Sequence, residues 1–312
     1  MSETLAAASL AFVHLAALAA LAPGFNGVIK TAKARLQGRG GPPPLQPYFD
    51  LWKLLRKDTI TPAPASVVFS AAPGVYAATA AAAALIVPFL WLPAPLAPWA
   101  DALVLVGLFA LGRFALALAG LDTGSSFGGM GASREVAVAS LIEPALLLAI
   151  FAVGVASGGT DISATSAWLL EDPARSIALS QMLAFAALAV VVVAETGRVP
   201  VDNPDTHLEL TMIHEGMVLE YAGRDLGIVQ WATQLKQVTL IALLIAMFVP
   251  AGIGAVLPVA IVAVGAKLAV AAGALALIES TNAKLRILRL PELLGATAAL
   301  AALAVVAAVV IR

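Results

Sequence analysis

Apolar residues run along the chain in long blocks that carry almost no charge. A helix needs roughly 20 apolar residues to cross the hydrocarbon core of a bilayer, which is about 30 Å thick. Pro and Gly in the stretch VPAGIGAVLP separate the sixth block from the seventh. The pattern predicts eight transmembrane helices, at about residues 5–29, 68–92, 99–120, 135–157, 176–195, 234–250, 256–279 and 292–311.

Two longer polar stretches, 30–66 and 196–233, separate these blocks. In the first stretch, GRGGPPPLQP disfavours regular helix because of its Gly and Pro residues. The following PYFDLWKLLRK spaces apolar side chains at helical intervals opposite basic ones. The apolar positions are Phe49, Trp52 and Leu55, and the basic ones are Lys53, Arg56 and Lys57. This pattern predicts an amphipathic helix that lies at the membrane interface.

Composition agrees with a membrane protein. The 312-residue chain is 61% hydrophobic and 12% charged, with a mean hydropathy of +0.96. An ordinary soluble domain is about 45–50% apolar and about 25% charged. The sequence therefore predicts an all-α integral membrane protein, with about eight transmembrane helices plus an interfacial amphipathic helix, built as a single polytopic domain over residues 1–312.

The basic residues predict an orientation. Fourteen of the 18 Lys and Arg residues fall in or beside the loops after the first, third, fifth and seventh predicted helices. Cytoplasmic loops carry an excess of Lys and Arg. The odd-numbered loops, which include 30–66 and 196–233, are thus expected to be cytoplasmic, and both termini are expected to lie outside.

Charge balance and cysteine content limit the possible partners and cofactors. Lys plus Arg (18) nearly equals Asp plus Glu (19), so nothing indicates nucleic acid as a partner. The chain has no Cys, so it cannot supply thiolates to an iron-sulfur cluster or a zinc site. His207 and His214 are seven residues apart, but two His without a third ligand make a weak metal site. No cofactor is expected on this chain, and any redox centre is expected on another subunit.

A few ionisable residues lie inside or at the ends of the predicted spans. Each costs at least about 2.5–3.5 kcal/mol in a bilayer, so such residues usually face protein or water and deserve a functional hypothesis. Arg113, Glu143 and Lys267 fall within predicted spans, and Glu195 and Glu279 end the fifth and seventh helices. Arg113 can either snorkel to the membrane interface or pair with Glu143. These five residues form a candidate proton path. The alternative reading is that they are ion pairs that hold helices together.

The loop after the fifth helix carries a recognisable motif. Residues 195–223 read ETGRVPVDNPDTHLELTMIHEGMVLEYAG. This stretch resembles the pattern ETxRxPFDxPEAExEL followed by TEYSG. That pattern is found in a membrane-anchor subunit that respiratory complex I, where it is called subunit 1, shares with the membrane-bound nickel-iron hydrogenases. The matching positions are Glu195, Arg198, Pro200, Asp202, Pro204, Glu209, Glu220, Tyr221 and Gly223.

Other segments extend the resemblance over nearly the whole chain. Residues 34–62 look like the first cytoplasmic loop of the family, and residues 131–144 are similar to its GALRAAAQMISYE segment, which places Glu143 on an intramembrane glutamate. Residues 121–135 and 283–295 look closer to formate hydrogenlyase subunit 4 and hydrogenase-4 component C than to complex I. The sequence thus resembles the hydrogenase-type branch.

This resemblance implies a subunit that docks a soluble electron-transfer arm and links redox chemistry to proton or sodium translocation across a prokaryotic cell inner membrane. It implies partners in the large and small (iron-sulfur) hydrogenase subunits, antiporter-like membrane subunits and lipid. The iron-sulfur clusters and the nickel-iron centre would lie on those partners. The implied docking face and mouth of the path comprise Arg134, Glu135, Arg198, Asp202, Asp205, His207, Glu209, Glu215 and Glu220.

Three departures from the complex I pattern bear on quinone binding. Val201 and Asn203 replace Phe and Leu, and His207 replaces an acid, in a loop that borders the quinone cavity of complex I. These changes favour the hydrogenase-type branch. The alternatives are a quinone-bordering subunit of a complex I-type NADH dehydrogenase, a purely structural anchor, and an autonomous secondary transporter. The loop motif and the lack of a detectable inverted repeat count against the transporter.

Overall fold

The computed structural model describes residues 2–203 and 212–310, and its regular structure within them is helical. Short 3₁₀ turns occur at Ala97–Trp99, Pro173–Ile177 and Ile287–Arg289. The α-helices are α1 (Ser2–Leu36), α2 (Gln46–Leu55), α3 (Val67–Ile86), α4 (Ala102–Asp122), α5 (Ser126–Ser157), α6 (Ile162–Glu171), α7 (Leu179–Glu195), α8 (His214–Val218), α9 (Gly223–Phe248), α10 (Leu257–Thr281) and α11 (Leu290–Val310).

The all-α membrane fold predicted from the sequence is confirmed. Among the described residues, seven helices are long and apolar enough to cross a bilayer, and α7 is a shorter apolar helix of 17 residues. Each of the eight predicted spans corresponds to one of these helices, namely α1, α3, α4, α5, α7, α9, α10 and α11. The chain is therefore a multi-pass membrane protein.

Three helices extend well beyond the predicted spans. Helix α1 continues to Leu36, α5 begins at Ser126 and α9 begins at Gly223. The loop predicted at 196–233 is therefore shorter than expected and ends where α9 begins, at Gly223. Hydropathy marks the part of a helix that lies in lipid. Backbone hydrogen bonds continue through polar residues outside it, so the apolar blocks are shorter than the helices.

The amphipathic segment forms helix α2, as predicted. Pro47 and Leu51 on one side of α2 are buried, while Phe49 and Trp52 are exposed. The segment before α2 lies against α1 at Gly27, where a Cβ would stand 1.8 Å from the carbonyl oxygen of Pro44. Only glycine allows that approach. Helix α2 is thus fixed against the bundle with an apolar face turned outward.

Helix α9 is the most buried of the seven long helices among the described residues. It packs against α3, α1 and α2, while α5 packs against α7 and α11, and α1 also packs against α10. Large side chains such as Phe69, Leu105 and Leu146 fill the core between the helices. A charged residue on the middle of α9 therefore lies inside protein and not in lipid.

Candidate functional site

Five charged side chains from four helices meet inside the bundle. They are Arg113 on α4, Glu135 and Glu143 on α5, Glu195 on α7 and Lys236 on α9, here called the buried charge cluster. Arg113, Glu195 and Lys236 are each buried. Because unpaired charges in an apolar interior are very costly, their mutual pairing is what makes this arrangement tolerable.

Arg113 is the centre of the buried charge cluster. Its guanidinium donates hydrogen bonds to Glu143 and to Glu195, and its Nε lies 3.4 Å from Glu135 Oε1. The planar guanidinium presents five donors in a fixed fork, which suits it to joining several carboxylates. Of the two roles that the sequence leaves open for Arg113, the structure shows the pairing with Glu143, which links α4 with α5.

Lys236 adds a second positive charge from α9. Its Nζ lies 2.7 Å from Glu195 Oε1 and 5.5 Å from the centroid of the Phe109 ring. Glu195 therefore accepts from both cations of the buried charge cluster. Three carboxylates face two cations, so the fully ionised cluster carries one excess negative charge.

His214 on α8 stands beside this excess negative charge. Its Nδ1 lies 3.9 Å from Glu135 Oε1. Burial by itself lowers the pKa of His214, but the attraction of Glu135 outweighs it and raises this pKa above the ordinary value of 6.5. The negative charge of the cluster therefore favours the protonated form of His214.

A second set of contacts joins the segment after α7 to three helices. Arg198 donates to Glu279 on α10 at 2.6 Å, to Asn26 on α1 at 2.8 Å and to Gln237 on α9 at 2.9 Å. The other carboxylate oxygen of Glu279 lies 3.0 Å from Lys33 Nζ. We call these five residues the Arg198 anchor. It fixes the start of the motif segment to the bundle.

Asp202 holds the far side of the same segment. One of its carboxylate oxygens accepts from Lys284 Nζ at 2.6 Å, and the other accepts from the backbone amides of Ile213 and His214 at 3.2 Å. Asp202 is buried, and such charge-assisted bonds are stronger than neutral ones. This motif aspartate therefore sets the position of His214.

The last part of the motif joins α8 to α9. The Tyr221 ring stacks on Phe69 with centroids 4.0 Å apart, and its hydroxyl donates to the Phe69 carbonyl at 2.7 Å. Burial raises the pKa of Tyr221. Gly223 has φ +56°, and a Cβ there would stand 2.1 Å from the Asp58 carbonyl oxygen. Tyr221 and Gly223 of the motif are therefore required by packing: the first fixes the segment to α3, and the second allows the close approach of Asp58.

A polar cavity of about 370 Å³ lies between the Arg198 anchor and His214. Helices α1, α8, α9 and α10 and the segment after α7 supply its walls. Its charged or titratable lining residues are Lys30, Arg198, His214, Glu215 and Glu279. Within the described part of the chain, no three His, Asp or Glu side chains come together to hold a metal ion.

The remaining residues singled out in the sequence are spread over the molecule. Lys267 lies apart from the buried charge cluster and donates to the carbonyls of Val249 and Ala251, beyond the end of α9. Arg134 donates to the Met212 carbonyl at 2.9 Å. Glu215 lines the polar cavity, and Glu220 is half-buried in the turn before α9. Asp205, His207 and Glu209 lie outside the described residues.

Two residues of the site were not found from the sequence. Lys236 stands at the start of the sixth predicted span, where it counts as a basic residue beside the cytoplasmic loop. Because α9 begins at Gly223, well before that span, Lys236 lies inside the bundle. Its signal was a Lys between Gln234 and Gln237, directly before an apolar run. His214 was considered only as a metal ligand, because its contact with Glu135 joins positions 79 residues apart in the chain.

Comparisons with known proteins relate the whole chain to respiratory membrane subunits. The family model described as NADH dehydrogenase matches residues 8–311. Formate hydrogenlyase subunit 4 of Escherichia coli K12 is 35% identical over 277 residues, which is 86% of this chain and 88% of that protein. Hydrogenase-4 component C of the same organism is 34% identical over 232 residues, covering 74% and 72%. The hydrogenase-type branch expected from the sequence is confirmed.

A solved structure shows the same fold. It is that of the membrane-bound sulfane sulfur reductase, an archaeal respiratory membrane complex. One of its chains superposes with a TM-score of 0.84 at 18% identity, over 97% of this chain and 99% of that one. The arrangement of helices described above is therefore found in a subunit of a multisubunit membrane complex.

Proposed function

Because the chain belongs to the NADH dehydrogenase family of membrane subunits, we propose that it is the membrane anchor of a hydrogenase-type complex related to formate hydrogenlyase. In this proposal it docks the soluble electron-transfer arm and links redox chemistry to proton or sodium translocation. The observation that carries the proposal is the buried charge cluster next to the polar cavity. The proposed location is a prokaryotic cell inner membrane.

The docking role rests on the motif segment that starts at Glu195. Its described residues are fixed to the bundle by the Arg198 anchor and by Asp202. A rigid support of this kind suits a partner that must hold redox centres at a constant distance. The proposed partners are the large and small (iron-sulfur) hydrogenase subunits. They would carry the nickel-iron centre and the iron-sulfur clusters, and this chain would bind no cofactor.

The translocation role rests on the chain of charges that crosses the bundle. Glu195 and Glu135 lie toward the motif segment, while Glu143 lies two helical turns further along α5 than Glu135. The Glu143 side chain is 35% exposed, so it reaches the surface of this subunit. A membrane neighbour of the antiporter-like type would receive the charge or proton at that surface.

The walls of the polar cavity argue against quinone as its occupant. Small-molecule sites for apolar ligands are lined mostly by hydrophobic and aromatic side chains. Most side chains that line this cavity are charged, amide or hydroxyl groups, such as Lys30, Gln234 and Glu279, and only Val218, Leu226 and Val229 among its described lining residues are apolar. The relatives of this chain are subunits of membrane complexes, which favours a complex subunit over an autonomous transporter.

The first experiment identifies the complex. An affinity tag on this chain, mild detergent and mass spectrometry would recover the co-purifying subunits, while hydrogen-dependent dye reduction is assayed on the same preparation. Nickel-iron, iron-sulfur and antiporter-like subunits with activity would support the proposal. The same subunits without activity would indicate another redox substrate, and a chain that purifies alone would refute the proposal.

The second experiment separates translocation from a purely structural role. Glu143→Gln is expected to leave assembly and redox turnover intact but to lower proton movement per electron in proteoliposomes. Glu292→Gln, an exposed carboxylate at the start of α11, is the matched control. If Glu143→Gln translocates at the full wild-type ratio, the path through the buried charge cluster is wrong and the acids serve only to hold the helices together.

A further inference from the structure

Helix α2 turns an apolar stripe away from the bundle. Leu45, Phe49 and Trp52 are spaced at i, i+4 and i+7, so they lie on one side of the helix, and each is more than half exposed. Pro47 and Leu51, on the opposite side, are buried. Contiguous exposed apolar side chains of this size mark a surface that contacts a membrane or a partner.

Two cations stand one helical turn beyond the aromatic rings. Lys53 follows Phe49 by four residues. Arg56 follows Trp52 by four residues, and its Cζ lies 4.3 Å from the centroid of the Trp52 ring. Both cations are exposed, and within residues 2–203 and 212–310 neither forms a salt bridge. Helix α2 therefore presents positive charge directly beside apolar surface.

The acidic residues of the same segment lie off the stripe. Asp50 is one residue past Phe49, so it points about 100° away around the helix, and it accepts a hydrogen bond from Gln46 Nε2 at 2.9 Å. Asp58 comes after the end of α2, where its carbonyl lies against Gly223 of α9. The charge next to the aromatic rings is thus positive.

Contacts at both ends place α2 at the level where the membrane spans end. The segment before α2 lies against Gly27 of α1, three residues before Lys30, which is the first basic residue of the chain. Near the other end, Leu54 lies against Gly227 in the polar first turns of α9. Between these two points α2 runs along the edge of the apolar bundle, which is where lipid head groups meet acyl chains.

We propose that α2 binds an anionic phospholipid, whose phosphate lies on Lys53 and Arg56 and whose acyl chains lie along Leu45, Phe49 and Trp52. The planar guanidinium of Arg56 matches phosphate oxygens, and its contact with Trp52 holds it beside the apolar stripe. The ammonium of a zwitterionic lipid would offset the phosphate charge, so a lipid without that group binds more tightly. An acidic peptide would match the cations but would leave the stripe uncovered.

This inference goes beyond the proposed function and does not depend on it. Native mass spectrometry of the tagged protein, with the partners that it retains, measures the apparent Kd of dioleoylphosphatidylglycerol and of dioleoylphosphatidylcholine for this chain. We expect wild type to bind the anionic lipid more tightly. Lys53→Gln combined with Arg56→Gln should weaken that binding by about 25-fold, because each basic residue near an anionic lipid contributes about 5-fold in affinity.

A matched control removes the same charge elsewhere. Arg286→Gln combined with Arg289→Gln changes two exposed cations outside α2, and this variant should bind both lipids as wild type does. A loss as large as that of the α2 variant would overturn the proposal, because the lipid would then respond to total charge. Equal affinity of wild type for the two lipids would also overturn it, as would wild-type affinity for the anionic lipid in the α2 variant.

Two further measurements complete the test. If the α2 variant fails to assemble, wild type is titrated at low and high salt, where screening should weaken only the binding of the anionic lipid. An equal response of both lipids to salt would overturn the proposal. Chemical cross-linking of Lys53 to an acidic segment of a soluble subunit, with no anionic lipid bound, would assign this face to a protein partner and overturn it as well.

Discussion

Lys236 shows how one side chain changes the character of a helix interior. It places a positive charge 2.7 Å from Glu195 in the middle of the most buried of the long helices described. A buried ion pair is weak evidence for stability, because desolvation offsets much of the attraction. Removing one partner of the pair costs much more, because the remaining buried charge then has fewer opposite charges beside it.

We expect Lys236→Met to destabilise the protein by about 3 kcal/mol, since Arg113 still contacts Glu195 and limits the loss. Adding Glu195→Gln to this variant should recover part of the stability. Chemical unfolding in mixed micelles measures both effects, and Lys57→Met, at an exposed position, is the control. Strictly additive losses in the double variant would show that the pair is not coupled.

His214 predicts a pH dependence of stability. Its pKa is raised in the folded protein by Glu135, despite the opposing effect of burial. The protonated form therefore stabilises the fold fully below the unfolded value of 6.5, and this contribution disappears as pH rises through the folded pKa. The melting temperature of wild type minus that of His214→Gln should fall over this range. A constant difference would contradict the assignment.

At the residue scale, the sequence alone identifies ionisable residues that stand inside apolar runs. Arg113, Glu143 and Glu195 were found in that way, because an ionisable group in a predicted span is rare. Lys236 was not found because it stands where hydropathy gives no sharp boundary. Lys267 stands out by the same rule, yet its ammonium donates to the carbonyls of Val249 and Ala251 after the end of α9. This role depends on where the chain turns after α9, which the local sequence does not show.

At the element scale, the contact of α8 with α5 depends on two glycines. A Cβ on Gly131 would stand 2.7 Å from backbone of Gly216, which is closer than any real packing contact. Since the conflicting atoms are backbone, one helix must move. Overpacking of this kind costs about 1–3 kcal/mol.

We therefore expect Gly131→Ala to lower stability by about 1–3 kcal/mol and to displace His214 from Glu135. Gly129→Ala is a matched control on the same helix, where the nearest atom to a Cβ is a Leu121 side-chain carbon at 4.0 Å. That change should be neutral or slightly stabilising, because Ala favours helix over Gly. Equal effects of the two variants in thermal unfolding would show that α8 does not contact α5 in this way.

Sequence patterns located every long helix but not the helix ends. The apolar blocks identified the eight spans because the bilayer imposes their length. Helix α9 begins within the stretch taken as a loop, since GRDLGIVQ is polar enough to hide its first turns. The short α8 and its packing depend on contacts between distant segments, and no local pattern contains that information.

At the scale of the whole molecule, the asymmetric distribution of basic residues predicts an orientation that can be tested directly. The chain has no Cys, so a single introduced thiol reports one position without background. Thr59 follows α2, and Ala174 lies between α6 and α7, and both are exposed. The positive-inside bias assigns these two positions to opposite sides of the membrane.

An impermeant maleimide should label Ala174→Cys in intact cells and Thr59→Cys only in inverted vesicles. Detergent-permeabilised membranes, in which both variants should react, provide the control for accessibility. Labelling of Thr59→Cys in intact cells would reverse the orientation, and labelling of both from one side would contradict the number of crossings between them.

The Arg198 anchor also has a consequence for the order of biosynthesis. Asn26 precedes Arg198 by 172 residues, whereas Glu279 follows it by 81. A ribosome adds about 5–20 residues per second, so several seconds separate the appearance of the guanidinium from that of its carboxylate partner. Until α10 enters the bundle, Arg198 and Lys33 lack that carboxylate, and the polar cavity lacks one wall. Synthesis of α10 thus completes a site whose first residues were made long before.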